Sequence, residues 1–415
     1  MGPRILTRIA DEVGTPAYVY DAATIRSRYE RLRRALDGIP HRIHYSVKAN
    51  SNLAVLHLLQ SLGAGADIVS AGELARVAAA GFAPERIVFS GAGKRADELA
   101  AAVTAGVGLV NVESAAEVDL LADVARRGGW RVDVGVRVNP DVTADTHPYT
   151  RTAGRGIKFG VPVDQARGVA LRVHARRELT LRSLGVHIGS QVADPAPYAT
   201  AAGTLETLIR AIRAEGVDTI ESVDLGGGYA VRYRDGGEEL EPQRFVDAVR
   251  PAVERMGLTL LVEPGRSLVA EAGSLLTRVL YRKHSGGREI TVVDAGMNDL
   301  MRPSLYGAEH TIDVVEPRKT AGVDPADAVP VDVVGPLCET GDFLGLGRTL
   351  AGAAPGALLA VRAVGAYGFC MSSHYNSRPR AAEVMVDGER WAIIRARETM
   401  DDLMRGETVV TAWRS

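Results

Sequence analysis

Cysteine is scarce. The 415 residues include two, Cys338 and Cys370, which do not form a disulfide framework and point to a reducing compartment. An excess of one charge is also missing. Lysine and arginine total 49 against 51 acidic residues, a formal net charge of -2, and this balance argues against a nucleic-acid or polyanion binder. No stretch approaches the ~20 consecutive apolar residues that a membrane helix needs. The opening "MGPRILTRIADEVGTPAYVYD" has no apolar core of signal-peptide length. These absences predict a soluble, cytoplasmic protein with neither a nucleic-acid nor a membrane partner.

What is present is an alternation. From residue 22 to 265, short apolar, β-branched runs are each followed by a stretch of helical period. The runs are "RIHYSV", "ADIVS", "RIVFSG", "GLVNVE", "RVDVGVRV", "LRSLGVHI", "ESVDLGGG" and "LTLLVE". Segments such as "AGELARVAAAG" and "SAAEVDLLADVARRG" lie between them, ending in the glycine that helix C-termini favour. Eight βα units predict an α/β chain with a (β/α)8 TIM-type barrel over residues 22–265. An open doubly wound sheet shares this periodicity, which does not report closure. After residue 266 the runs shorten ("EITVVDAG", "PVDVVG", "ALLAVRAVGAYG", "AAEVMVDGERWAIIRA") and turn residues separate them, as in a mostly antiparallel β domain. "PAYVYD" near the start reads as a strand that can pair into it, so residues 1–21 and 266–415 are assigned together.

In a barrel of this kind the chemistry sits at the C-terminal ends of the strands, and the unusual polar residues fall there. "HYSVKAN" ends in Lys48, "GVHIGSQ" carries His187 and Ser190, "DLGGGYA" carries Gly226, Gly227 and Gly228, and "EPGRS" carries Glu263, Gly265 and Arg266. Singly, each has an ordinary explanation: a solvated lysine, a satisfied core histidine, a tight turn, a local ion pair. Together on one face they suit an anionic aromatic aldehyde. A lysine of depressed pKa forms a Schiff base with a carbonyl. Glycines let backbone N–H groups approach a phosphate, Ser190 and Arg266 add donors, and a carboxylate can pair with a pyridinium nitrogen. Pyridoxal 5'-phosphate meets that description. A dinucleotide on "GGGYAV" fits less well, because the glycines are contiguous and not spaced G-x-G-x-x-G.

Over nearly its whole length the chain resembles the fold-type III pyridoxal-phosphate decarboxylases, within them the branch acting on meso-2,6-diaminoheptanedioate (meso-diaminopimelate). The resemblance lies in "YSVKAN", "GADIVSAGEL", "THPYTRTAGRGIKFG", "HIGSQ", "DLGGGY", "EPGRSLVAEAG", "MNDLMRPSLYGAEH", "GPLCETGD", "GAYGFCMSSHYNSRPRAAEV" and "RARETMDDLMRGE". It implies an alanine racemase-like barrel with a C-terminal β domain that contributes to substrate binding and dimerisation, and a homodimer with shared active sites. It implies that Lys48 bonds the cofactor, that His187 stacks on its ring, and that Ser190, the Gly226–Gly228 turn and Tyr367 hold its phosphate. Glu263 would pair with the ring nitrogen, Gly265 would join the cofactor site, and Arg266 would lie between cofactor and substrate. Arg302 and Tyr306 would bind the substrate's distal carboxylate, Glu339 its distal ammonium, with Tyr367 also at the substrate. Cys338 would return a proton to the carbanion, and it and Glu339 would come from the partner subunit.

The implied reaction is decarboxylation to L-lysine and carbon dioxide, the last step of lysine biosynthesis. The alternatives are a decarboxylase of a related amino acid in secondary metabolism, a racemase, and a non-catalytic carrier of the cofactor. Glu263 and "CETGD" argue against a racemase, and a single-barrel carrier would lack the second domain and Cys338. The family commonly has a second histidine two residues before His187, where this chain has Gly185. Tyr375 competes with Tyr367 for the place beside the cofactor.

Overall fold

The computed structural model describes residues 1–142, 153–154, 156–234, 236–316, 330–410 and 413. Helix Pro3–Val13 and strand Ala17–Asp21 (β1) open the chain. Nine strands follow: His41–Ser46 (β2), Gly65–Ile68 (β3), Ile87–Phe89 (β4), Leu109–Val112 (β5), Val132–Asn139 (β6), the two-residue Val161–Pro162 (β7), Leu179–Gly185 (β8), Ser222–Asp224 (β9) and Thr259–Val262 (β10).

Eight of them pair in parallel in the order β5-β4-β3-β2-β10-β9-β8-β6, and β5 pairs with β6 to close the ring. β7 pairs with β6 outside it. Closure excludes the open sheet. It also explains the continuous apolar runs: β3, β4 and β5 are buried along their whole length, as parallel strands covered on both faces must be. Local sequence sets the intervening helices. Ser70 and Ser114 cap helices Ala71–Ala79 and Ala115–Gly128, accepting hydrogen bonds from the N–H groups of Glu73 and Glu117. Gly129, left-handed at φ 69°, ends the second helix. The chain divides into two compact units, and the barrel is the unit Ala23–Glu271. Of the motif "THPYTRTAGRGIKFG", residues 146–152 and 155 lie outside the described residues.

The other unit joins Met1–Ala22 to Ala272–Ser415. Its strands are Gly273–Ser285 (β11), Arg288–Val293 (β12), Ile312–Glu316 (β13), Pro330–Val334 (β14), Phe343–Thr349 (β15), Leu358–Arg362 (β16), Ala382–Asp387 (β17) and Arg390–Arg395 (β18). β1 joins them, parallel to β17 and antiparallel to β11. Apart from that parallel pair and β12 with β14, the ladders are antiparallel. Alternation divides the side chains between two cores. Tyr18, Tyr20, Leu275, Leu359 and Val361 face one; Val19, Leu276, Leu358 and Ala360 face the other, which Leu6, Ile9 and Ala10 of helix Pro3–Val13 cover. Among the described residues, no helix is long and apolar enough to cross a membrane.

Candidate active site

β2 runs out into the short turn Val47–Ala49, which holds Lys48. Its Nζ lies 3.5 Å from Oδ2 of Asp67 in β3. The same oxygen accepts a hydrogen bond from Ser46 Oγ at 2.8 Å. Two more carboxylates stand at neighbouring strand ends, Asp224 closing β9 and Glu263 just past β10, and all three acids are buried. Glu263 Oε1 and Asp67 Oδ1 have no hydrogen-bond partner among the described residues. Burial, and then the charges of Asp224 and Asp67, hold the Glu263 carboxyl well above its usual range, with Lys48 offsetting part of the shift. Asp224 is raised as well, chiefly by burial. So concentrated a set of acids calls for a cation.

The three glycines are required by close approach. Gly226 and Gly228 are left-handed, at φ 66° and 90°. A Cβ on Gly227 would run into the main-chain oxygen of Glu263, and one on Gly228 into that of Gly189. Two N–H groups of the turn are engaged within the protein: Gly226 donates to Asp224 Oδ1 at 2.8 Å and Gly227 to His187 Nδ1 at 3.3 Å. Burial first, then Lys48 and Arg137, push the His187 pKa well down. Its imidazole is therefore neutral, and the Nδ1 acceptor places its proton on Nε2. Arg266, buried at the start of helix Arg266–Val269, donates to Ser190 Oγ at 2.8 Å and to the Tyr233 hydroxyl. A Cβ on Gly265 would lie 3.0 Å from those of Ala49 and Ser46, so the end of β10 presses against the Lys48 turn. At Gly185 a Cβ would lie 2.9 Å from that of Asp224. Asp224 thus fills the space into which a histidine side chain there would begin.

In the β unit the candidate residues fall into two groups. Arg302 starts the short helix Arg302–Tyr306 and is buried. Its Nε lies 3.4 Å from His310 Nε2, and its guanidinium carbon 5.9 Å from the Tyr306 ring centroid. His310 Nδ1 lies 2.8 Å from the Arg362 carbonyl, to which it donates. Cys338 and Glu339 lie on a loop that Asp342 organises, accepting from the N–H groups of Met297 and Leu337 at 2.6 Å each. Both residues are exposed on the single chain. Tyr375 Oη donates to Glu339 Oε2 at 2.6 Å. Tyr367 is half-buried and left-handed, at φ 56°.

The barrel thus gathers Lys48, His187, Ser190, the glycine turn, Glu263, Gly265 and Arg266 at adjoining strand ends. The sequence reading passed over Asp67, Asp224 and Tyr233 in the barrel, and His310 and Asn376 in the β unit. For Asp67 and Asp224 the available signal was an acid inside an apolar run. The donor set fits pyridoxal phosphate. It offers an amine, a glycine turn that no side chain can enter, a serine–arginine pair for an anion, and a buried carboxylate oxygen awaiting a proton donor such as a pyridinium.

Comparisons with known proteins agree with this geometry. The family model described as "Pyridoxal-dependent decarboxylase, pyridoxal binding domain" matches residues 22–270. The chain is 48% identical over 407 residues to the diaminopimelate decarboxylase of Pseudomonas aeruginosa, covering 98% of this chain and 95% of the relative. It is 44% identical to that of Vibrio cholerae, with the same coverage. Among solved structures, diaminopimelate decarboxylase from Helicobacter pylori complexed with L-lysine superposes with a TM-score of 0.91 at 38% identity, covering 96% of this chain and 98% of that one.

Proposed function

The chain belongs to the pyridoxal-dependent decarboxylase family, and from that premise we infer that it converts meso-2,6-diaminoheptanedioate to L-lysine and carbon dioxide, the last step of lysine biosynthesis. It is a carboxy-lyase that uses pyridoxal 5'-phosphate. When bound, that cofactor supplies an electron sink for the pair left behind by the departing carboxylate.

The residues then divide the work. Lys48 holds the cofactor covalently and His187 lies against its ring. Ser190, the glycine turn and Tyr367 hold the phosphate, while Gly265 lets the end of β10 close on the Lys48 turn. Glu263 keeps a proton on the ring nitrogen. This is the observation that carries the reading: a buried carboxylate oxygen with no partner among the described residues, beside two further buried acids. An arginine there would weaken the sink and suit a racemase better. Arg266, held by Ser190 and Tyr233, would lie between cofactor and substrate. Arg302, backed by His310, binds the distal carboxylate together with Tyr306, and a guanidinium fork suits that group. Glu339 takes the distal ammonium, and Cys338 returns a proton to the α-carbon, a thiol S–H being able to act as a general acid. In this reading the barrel binds the cofactor with Tyr367 as the β unit's share of the phosphate site, and the β unit otherwise serves substrate binding and dimerisation. Two copies form a homodimer with shared active sites, in which Cys338 and Glu339 serve the partner. Their exposure on the single chain supports that assignment. A cytoplasmic location suits a reaction that forms free lysine.

The purified protein should be yellow with pyridoxal phosphate. Borohydride should bleach it and leave the reduced label on Lys48, and meso-diaminopimelate should yield lysine and carbon dioxide in equal amounts. Ornithine and lysine, which lack the second carboxylate, should be poor substrates. A label elsewhere would refute the lysine assignment, and efficient turnover of ornithine would refute the distal-carboxylate site.

A further inference from the structure

Two consecutive residues of one loop in the β unit hold two consecutive residues of another. Tyr375 Oη donates to Glu339 Oε2 at 2.6 Å, and Asn376 Oδ1 accepts the main-chain N–H of Cys338 at 3.2 Å. Glu339, Cys338, Tyr375 and Asn376 are all exposed, so burial does not fix their side chains. An exposed glutamate ordinarily samples several rotamers; here a neutral phenol selects one. The holding loop is itself constrained. Asn376 and Ser377 both take left-handed backbone conformations, at φ 55° and 52°, a region unfavourable for residues other than glycine and tolerated best by asparagine. The turn is closed by Ser377 N–H donating to the His374 carbonyl at 2.8 Å, and Ser373 N–H ties it to the Asn298 carbonyl at 2.9 Å. His374 in turn pairs with Glu398 at 2.6 Å. Backbone strain of this kind persists where the surroundings over-determine it. The Glu339 contact also raises the Tyr375 pKa, so the phenol remains a donor.

We propose that Tyr375 and Asn376 are positioning residues for the decarboxylation inferred above. Tyr375 orients the Glu339 carboxylate toward the substrate's distal ammonium. Asn376 fixes the Cys338 backbone so that the thiol reaches the α-carbon. The proposal rests on the roles assigned to Glu339 and Cys338, and it separates the two effects: the tyrosine acts on substrate affinity, the asparagine on turnover.

The test is steady-state kinetics of the cofactor-loaded enzyme with meso-diaminopimelate. Tyr375→Phe should raise KM about tenfold with kcat nearly unchanged, since a hydrogen bond to a charged group is lost. Glu339→Gln should raise KM at least as much, and the double variant should be no worse than Glu339→Gln alone, because the phenol acts through the carboxylate. Asn376→Gly keeps the left-handed backbone and removes the acceptor, and should lower kcat about tenfold with KM retained. Asn376→Asp, which keeps both, should restore most of kcat. A normal KM in Glu339→Gln would overturn the role of Glu339 and the Tyr375 proposal with it. A raised KM in Glu339→Gln beside an unaffected Tyr375→Phe, or additive effects in the double variant, would overturn the positioning role of Tyr375 alone. Unchanged kcat in Asn376→Gly would overturn that of Asn376.

Discussion

The two units hold their candidate residues by opposite means. In the barrel, Asp67, Asp224, Glu263 and Arg266 are buried and His187 is half-buried at strand ends, where neighbouring strands fix them before anything binds. The result is an excess of buried acid with unsatisfied oxygens, an environment that a cationic ring would complete. In the β unit, Cys338, Glu339 and Tyr375 are exposed, and hydrogen bonds between loops, with left-handed residues at the turns, set their positions. A rigid scaffold that leaves charge unmet suits a permanent cofactor, and loops held by a few bonds suit a substrate that must enter and leave. Substitutions in the barrel should therefore cost cofactor and chemistry; those in the β unit, Tyr367 apart, should cost selectivity or proton return.

The largest effect is expected at Lys48. Lys48→Ala should lose the yellow colour and on the order of 10³-fold or more in activity, since the proposed covalent anchor and its amine would both be gone. Cys338→Ala should retain cofactor binding and lose lysine formation. If the site is shared, mixing the two inactive variants makes about half the dimers mixed, each with one intact site, and restores up to about a quarter of wild-type activity. No recovery from proven mixed dimers would confine Cys338 to its own chain's chemistry, or to none. It would also remove the reason given for its exposure.

Arg302 comes next, and it complicates the contrast because it is the buried member of the β-unit set. Arg302→Ala should cost roughly 2–5 kcal/mol of substrate binding if a buried charge is left unpaired. Arg302→Lys should recover little of it, because an ammonium cannot reproduce the planar fork. The cofactor spectrum should not change. A bleached Arg302→Ala protein would mean that the β unit supports the cofactor beyond Tyr367, from the distal-carboxylate site as well, and the division of labour would fail.

Much of the fold is written in local periodicity. Eight apolar runs punctuated by capped helices are visible without knowing what any of them touches, and the positions of Lys48, His187 and Glu263 at their ends follow. Closure is not visible, because the β5–β6 pairing joins edges that periodicity does not relate. Helix Pro3–Val13 was passed over although Leu6, Ile9, Ala10 and Val13 carry a helical stripe. Part of the face it covers is Leu276, Leu358 and Ala360, far along the chain. β11 is similarly obscure: its first half is buried and its last residues are exposed, so it has no single period. Within the site, Asp67 and Asp224 read as ordinary acids in apolar runs, and only three-dimensional convergence gives them meaning. Arg302, Tyr306, Cys338 and Glu339 are candidates through resemblance alone, because neither loop residues nor a five-residue helix carry a periodic signal. That Tyr375 bonds Glu339 could not be read, since the two lie on separate loops.

The smallest expected effect tests whether buried acid in the two units serves different ends. Asp299 in the β unit accepts from Gly296 N–H at 3.0 Å, and burial pushes its pKa up to about 7, with Arg378 and Arg397 opposing. A carboxyl whose pKa is higher in the fold than in the unfolded chain, near ~3.9 for aspartate, favours the fold while protonated. That contribution is complete below the unfolded value and is lost as pH rises through the folded one. The Asp299 contribution to the stability of the cofactor-free protein should therefore fall as pH rises from about 4 through 7. Asp299→Asn keeps an acceptor for Gly296 and has no proton to lose. It should match wild type at about pH 4 and melt a few degrees higher at about pH 8. Glu263 and Asp224, raised in the same direction, should add their own downward slope, which Glu263→Gln should reduce. Pyridoxal phosphate separates the two regions. In the proposed site a cationic ring nitrogen would stabilise ionised Glu263 and do nothing for Asp299, so saturating cofactor should flatten the Glu263 part of the wild-type slope and leave the Asp299 part. Thermal melts of the three proteins across pH, with and without cofactor, resolve the two parts. If cofactor removed the slope that Asp299→Asn also removes, Asp299 would belong to the cofactor site and the two regions would not differ in kind.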